Sequence, residues 1–132
     1  MHTVIKKYNK TKTNSYNGNV YDSCKEAGHA RLLDRMVEKG EIYNYEKQIK
    51  IEFWVIQTAF PIIVADPSID DRKKPGSFFL KSYKVDFKVY HNDNTIEFQE
   101  VKGLVDPEWK MKWNLLEACF GYKPNYGLKI IR

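Results

Sequence analysis

The sequence predicts an α/β (α+β) domain whose elements follow the order α-β-β-β-α-β. Two segments repeat their apolar residues with the spacing of an amphipathic helix, and others alternate apolar and polar residues as a strand does. The chain has 132 residues, of which 42% are hydrophobic, so it suffices for one core and is too short for two. No apolar run reaches the roughly 18 residues of a membrane span, so we expect no insertion into a membrane.

The first predicted helix extends over residues 22–39. It begins at a capping box, in which Ser23 and Glu26 have the required spacing, and Gly40 can end it. Its apolar stripe consists of Ala30, Leu33 and Val37. Glu26 lies at the end of the same stripe, so it belongs either to the capping box alone or also to a site at the sheet.

Two strands and a hairpin are predicted next. Apolar residues occupy odd positions in residues 43–55, and the same alternation recurs in residues 78–90. The turn residues at 91–94 lead into a further strand over residues 95–102, which predicts a hairpin. Residues 58–76 contain three prolines and are expected to form an irregular connection.

The second predicted helix begins at Asp106 and Pro107 and ends at Gly121. Asp is a good N-cap residue, and Pro is favoured at the first helical position. The apolar face consists of Trp109, Trp113, Leu116 and Phe120. A short apolar segment, residues 126–131, is predicted to be the last strand.

Most of the positive charge lies at the N-terminus. The first 20 residues contain no acidic residue and carry +4 of the net charge of +5. We predict that residues 1–20 form a flexible basic arm and that residues 21–132 form one domain. Lysines interleaved with Tyr8 and Tyr16 suit contacts with phosphates and bases, although a solvated terminus is the alternative. The lysines of the arm are Lys6, Lys7, Lys10 and Lys12.

Five further basic residues are candidates for DNA binding. Arg72, Lys73 and Lys74 form a cluster that either contacts a DNA backbone or faces solvent. Lys110 and Lys112 flank the apolar face of the second helix and are candidates for binding phosphate.

Two acidic residues are predicted to face each other across the hairpin. A turn centred near Asp93 places Asp86 opposite Glu100, and we refer to these two residues as the acid pair. Opposed Cβ atoms lie about 5 Å apart, and like charges there destabilise a sheet unless a cation lies between them. Lys102 is in phase with Glu100 on a face that should point inward. Because charges at inward positions destabilise the fold, this arrangement indicates that the three residues bind a ligand or act in catalysis.

The acid pair and Lys102 resemble the motif of the PD-(D/E)xK nuclease superfamily, which includes restriction-like endonucleases and phage-type Holliday-junction resolvases. The family has an α-β-β-β-α-β core with a mixed central sheet flanked by helices. An acid lies on its second core strand, an acid-x-Lys on the third, and often a Glu on the first helix. The corresponding residues are Asp86, Glu100, Lys102 and Glu26.

Three local segments also resemble small phage-encoded members of this superfamily. They are residues 21–27, residues 83–87 and residues 100–103. Val85 departs from the pattern, since many relatives have a proline before the Asp.

The resemblance implies a Mg²⁺-dependent endodeoxyribonuclease, with Mn²⁺ as a substitute, acting on DNA such as Holliday junctions or other branched intermediates. Asp86, Glu100 and the backbone carbonyl of Val101 would hold the metal, and Lys102 would orient the attacking water. The alternative is a catalytically inactive DNA-binding module that retains the nuclease fold.

The sequence also gives expectations about oligomeric state and cellular location. One such site cuts one strand, so a double-strand cutter would act as a homodimer. The two cysteines have no C-x-x-C spacing and no secretory signal is evident, which predicts a cytoplasmic protein, in the host cell if a phage encodes it.

Overall fold

A five-stranded mixed sheet with flanking helices forms the structure, a computed structural model that describes residues 15–17, 19–20, 23–103 and 105–132. The helices of these residues are α1 (Cys24–Glu38), α2 (Ile69–Arg72) and α3 (Pro107–Phe120). The strands of the sheet are β3 (Asn44–Ile56), β4 (Ile62–Ala65), β5 (Phe78–Tyr90), β6 (Ile96–Val101) and β7 (Tyr126–Ile131). Two short strands, β1 (Ser15–Tyr16) and β2 (Asn19–Val20), precede α1. The predicted mixed sheet flanked by helices is therefore confirmed.

The strand order in the sheet is β4-β3-β5-β6-β7, in which β6 and β7 are parallel and the other neighbours are antiparallel. The helices α1 and α3 contact opposite faces of this sheet. On β6, for example, the side chain of Gln99 meets His29 of α1, whereas the adjacent Phe98 meets Phe120 of α3. None of the helices in the described residues is long and apolar enough to cross a membrane.

The ends of α1 follow from local sequence. The hydroxyl of Ser23 accepts a hydrogen bond from the amide of Glu26 at 3.0 Å, as an N-cap should. At the other end the chain turns at Gly40, whose φ of +72° favours glycine. The helix therefore has a fixed first turn, and this turn carries Glu26 against the sheet.

The apolar residues of the two central strands change face part-way along. Ile51 and Val85 pack with α3, whereas Tyr45 and Phe87 pack with α1, although all four positions are odd. The predicted strand is present, but its apolar residues do not all pack on one face of the sheet. The change coincides with Gln48, whose φ of +51° interrupts the regular pleat of β3.

The same change of face determines the position of Asp86. In a regular strand every second residue is buried, but here Val85, Asp86 and Phe87 are all buried in succession. Val85 belongs to the core on α3, and Phe87 belongs to the core on α1. Asp86 therefore lies where the two cores meet, at a buried position between two apolar residues.

The connection between β3 and β5 contains regular structure that the sequence did not reveal. Strand β4 extends the sheet beyond β3, with Phe53 opposite Ala65 and Ile56 opposite Ile62. The single turn of α2 follows, capped by the side chain of Ser68.

The last part of the predicted flexible arm is a short hairpin in the structure. Ser15 pairs with Val20, and Tyr16 pairs with Asn19. The hydroxyl of Tyr16 donates to Asp34 of α1 at 2.6 Å, and the guanidinium of Arg31 lies over its ring. Tyr16 thus contacts two residues of α1.

The four lysines of the predicted arm lie outside the described residues, and their contact with nucleic acid stays a prediction. They are Lys6, Lys7, Lys10 and Lys12.

Candidate active site

A cavity of about 440 Å³ lies at the point where β5 and β6 diverge, beside the first turn of α1. It brings together five residues that the sequence analysis predicted as site residues. They are Glu26, Asp86, Glu100, Val101 and Lys102. The hairpin of β5 and β6 and the distant helix α1 thus contribute to one cavity.

The two carboxylates of the acid pair meet because the β5–β6 ladder stops one position before them. The last ladder pair is Phe87 with Gln99, in the predicted register. Beyond it, the amide of Val101 donates to Oδ2 of Asp86 at 2.8 Å, and the amide of Asp86 donates to Oε1 of Glu100 at 3.4 Å. Side-chain oxygens therefore accept the hydrogen bonds that backbone carbonyls would accept in a continued ladder. This holds both carboxylates in the gap where the two strands separate.

Two buried aromatic residues orient Glu100. The hydroxyl of Tyr83 donates to Oε1 of Glu100 at 2.8 Å, and Nε1 of Trp109 donates to the hydroxyl of Tyr83 at 3.0 Å. All three side chains are buried, so each hydrogen bond satisfies groups that water does not reach. The first turn of α3 thus determines the orientation of a carboxylate on β6.

The acid pair carries an electrostatic cost. Glu100 is 6% exposed and Asp86 is 9% exposed. Burial, followed by the charge of Asp86, raises the pKa of Glu100 to about 7, although the hydroxyl of Tyr83 acts in the opposite direction. The pKa of Tyr83 is also raised, by its own burial and by the nearby Glu100. A cation between the carboxylates would reverse this cost.

Lys102 lies beside the acid pair and is held from two directions. Its Nζ is 3.8 Å from Oδ2 of Asp106 and 5.2 Å from the centre of the Trp109 ring. Its amide donates to the carbonyl of Ile131 at 2.9 Å, which ties this end of β6 to β7. Asp106 also caps α3, since its Oδ1 accepts from the amide of Trp109. The cap of α3 and the position of the lysine therefore depend on one side chain.

The donor atoms of the acid pair suit a hard divalent cation. No three His, Cys, Asp or Glu side chains in the part of the chain that the structure describes are grouped to hold a metal ion. The predicted set is the two carboxylates of Asp86 and Glu100 with the carbonyl of Val101, and all three residues line the cavity. Mg²⁺ prefers oxygen ligands, keeps several waters and is commonly held by one or two carboxylates, so these residues fit it.

Glu26 lines the same cavity and is 2% exposed. Its amide completes the cap on Ser23, and the residue lines the cavity that the acid pair also lines. Glu26 therefore combines a place in the helix cap with a place in the cavity.

The remaining basic candidates are distributed differently. Lys112 lines a second cavity beside the acid pair, whereas Lys110 on the same helix is exposed. Arg72 lies over the ring of Trp54, and Lys74 pairs with Asp71 at 3.1 Å.

The structure does not bring the 72–74 cluster to the acid pair, because among the described residues this cluster belongs to α2 and its C-terminal end, beside β3.

Two residues of the site gave no signal in the sequence analysis. Tyr83 lies three positions before Asp86, so simple alternation would place the two side chains on opposite faces. Trp109 resembles an ordinary core residue of α3. The Pro107 that follows the Asp106 cap is the one local signal, because it fixes where the first turn of this helix begins.

Comparison with known protein families assigns the chain to one family. A family described as "Protein of unknown function (DUF1064)" matches residues 5–129. Comparisons with curated proteins and with solved structures gave no match. The matched range includes the acid pair, Lys102 and both long helices. The chain therefore belongs to the DUF1064 family.

Proposed function

We propose that the protein is a Mg²⁺-dependent endodeoxyribonuclease of the PD-(D/E)xK type that hydrolyses phosphodiester bonds in DNA. The observation that carries the proposal is the buried acid pair, which shares one cavity with Lys102 and Glu26. Two opposed carboxylates inside a protein repel each other unless a cation lies between them. Their oxygens are ligands that suit a divalent cation such as Mg²⁺.

Each residue of the site has a distinct task in this reaction. Asp86, Glu100 and the carbonyl of Val101 would hold Mg²⁺, which when bound supplies a Lewis acid for the phosphate and lowers the pKa of water. Tyr83 holds the carboxylate of Glu100 in one orientation through its 2.8 Å hydrogen bond. Fixed ligands of this kind lose less freedom when they bind a cation.

Lys102 brings a positive charge to the same cavity. Its ammonium group can donate a hydrogen bond to the attacking water and stabilise negative charge that develops on the phosphate. Asp106 and the Trp109 ring restrict where this group can lie. Their contacts place the lysine at the rim of the acid pair, where water and phosphate can reach it.

Cleavage with and without metal tests the proposal directly. We expect the purified protein to cut plasmid, linear or four-way-junction DNA when Mg²⁺ or Mn²⁺ is present, and EDTA to abolish the cutting. Comparison of linear and four-way substrates reports whether branched DNA is preferred. If the protein binds these forms of DNA but cuts none of them with either metal, it is an inactive DNA-binding module and the nuclease proposal is wrong.

Glu26 gives a further test, because its capping and metal-linked roles predict different outcomes. Glu26→Gln is expected to lower the single-turnover cleavage rate by about 10- to 100-fold, the usual effect of losing a group that supports metal ligands. The melting temperature should stay near that of the wild type, because the amide of residue 26 still bonds Ser23.

Glu38→Gln is the matched control for Glu26→Gln. Glu38 is exposed at the other end of α1, so the same charge change there should leave the cleavage rate and the melting temperature near those of the wild type. An unaltered rate in Glu26→Gln would show that Glu26 serves only the helix.

A further inference from the structure

A second cavity, of about 300 Å³, adjoins the first at the acid pair. The residues that line both cavities are Asp86, Glu100, Lys102 and Asp106. The two cavities therefore form one groove with the acid pair in the middle, which we call the acid-pair groove. One half lies beside the first turn of α1, and the other lies between β5 and α3.

Each half of the groove has its own lysines. Lys25 lines the half beside α1, and its Nζ is 4.0 Å from the place that a side chain at Gly103 would occupy. Lys84 of β5 and Lys112 of α3 line the other half. Lysine is a compact positive charge that commonly binds phosphate, so each half offers a place for a phosphate away from the acid pair.

A carboxylate at the rim holds one of these lysines. Oε1 of Glu108 lies 3.6 Å from Nζ of Lys112 and 4.0 Å from Nζ of Lys81. The side chain of Glu108 is 69% exposed, so this ion pairing is weak and a phosphate can replace it.

We propose that the acid-pair groove binds one nucleic-acid strand across the acid pair, with backbone phosphates at Lys25 on one side and at Lys84 and Lys112 on the other. The proposal rests on the proposed function and adds the path of the strand to it. Glu108 competes with the strand for Lys112, so it limits the affinity of the groove.

The salt dependence of binding tests this path. Binding of a labelled four-way junction, a linear duplex and a single strand is measured in EDTA, so that no cleavage occurs. Each lost phosphate contact reduces the slope of log K against log salt by about 0.7 for single strands and 0.9 for duplex DNA. The double variant Lys84→Ala/Lys112→Ala should therefore reduce the slope by about 1.4 to 1.8.

A control with the same change of net charge separates the groove from the overall charge of the protein. Arg35 lies in the last turn of α1 and Lys39 ends this helix, and both are exposed at the end of α1 that is away from the groove. The double variant Arg35→Ala/Lys39→Ala should keep the wild-type slope. Lys25→Ala should reduce the slope by about 0.7 to 0.9.

Replacement of Glu108 should strengthen DNA binding, whereas the lysine variants should weaken it. Glu108→Gln releases Lys112 and Lys81 and should tighten DNA binding about two- to fivefold, the size of an exposed ion pair. Glu41→Gln makes the same charge change in the turn after α1 and should leave the affinity within error of the wild type.

The outcomes separate this inference from the proposed function. If the wild type binds DNA but the Lys84/Lys112 and Arg35/Lys39 variants lose equal slope, the strand path is wrong and the nuclease proposal stands. Equal effects of Glu108→Gln and Glu41→Gln would contradict the role of Glu108. If the wild type binds no form of DNA in EDTA, the strand path is wrong, and cleavage with Mg²⁺ or Mn²⁺ then decides the proposed function separately.

Discussion

Asp86→Asn is expected to reduce the single-turnover rate of DNA cleavage by at least about a hundredfold at saturating Mg²⁺. The substitution removes the negative charge from one of the two carboxylates that would hold the cation. It keeps the size of the side chain, and the amide oxygen can still accept the hydrogen bond from the amide of Val101. The folded structure should therefore survive, and circular dichroism with a melting curve checks this.

Asp70→Asn is the matched control for this substitution. Asp70 is exposed on α2, so the variant makes the same charge change away from the acid pair. Its rate should equal that of the wild type. A folded Asp86→Asn protein that cleaves at the wild-type rate would remove Asp86 from the proposed site.

Lys102→Met extends the same experiment to the lysine. Methionine keeps an unbranched apolar side chain beside the Trp109 ring but cannot donate a proton or carry charge. Loss of such a group typically costs about 10²- to 10⁴-fold in rate. Normal cleavage by this variant would show that Lys102 is not part of the chemistry.

The second large effect is a gain of stability when Glu100 is replaced. In the folded protein the pKa of Glu100 is about 7, compared with an ordinary value of 4.5. Between these two values the folded state binds more protons than the unfolded state, so stability falls as the pH rises. The contribution of Glu100 to stability is fully present below about pH 4.5 and is lost as the pH rises through about 7.

Glu100→Gln should therefore stabilise the metal-free protein at about pH 8, by on the order of 2 kcal/mol, and change little at about pH 4. Glutamine is neutral at both pH values and can still accept the hydrogen bond of Tyr83. Urea unfolding in EDTA at the two pH values measures the difference. The exposed Glu41→Gln variant is the control and should show no gain. Destabilisation of Glu100→Gln at the higher pH would contradict the raised pKa.

Addition of Mg²⁺ should reverse the order of the two proteins. A ligand that binds only the folded state stabilises it in proportion to the logarithm of its concentration above Kd. Wild-type protein at about pH 8 should gain stability with Mg²⁺, because Glu100 is then charged. Glu100→Gln should gain little, since it lacks one of the two carboxylates. Equal gains would show that Mg²⁺ binds elsewhere.

Much of the fold could be predicted because the signals are local. The spacing of apolar residues defines α1 and α3, and Ser23 and Asp106 mark where these helices begin. The turn at residues 91–94 fixes the hairpin register, so the opposition of Asp86 and Glu100 follows from counting along the two strands. Each of these features depends on residues close together in sequence.

The environment of the acid pair was decided by the tertiary structure. Alternation treats a strand as a regular pleat, but the change of face near Gln48 buries Val85, Asp86 and Phe87 in succession. With regular alternation, Tyr83 would lie on the same face of the sheet as Phe87, toward α1. The change of face places Tyr83 on the α3 side instead, where its hydroxyl reaches Glu100.

The sequence by itself thus determined where the two long helices and the strands β3, β5, β6 and β7 lie and which acids face each other, because turns, caps and periodicity act over a few residues. Only the tertiary structure decided that Trp109 orients Glu100 through Tyr83 and that Asp106 holds Lys102. These contacts join α3 to β5 and β6, and they depend on how a helix packs against a sheet. No spacing within one element encodes that packing, because it is selected by the combined burial of side chains from several elements.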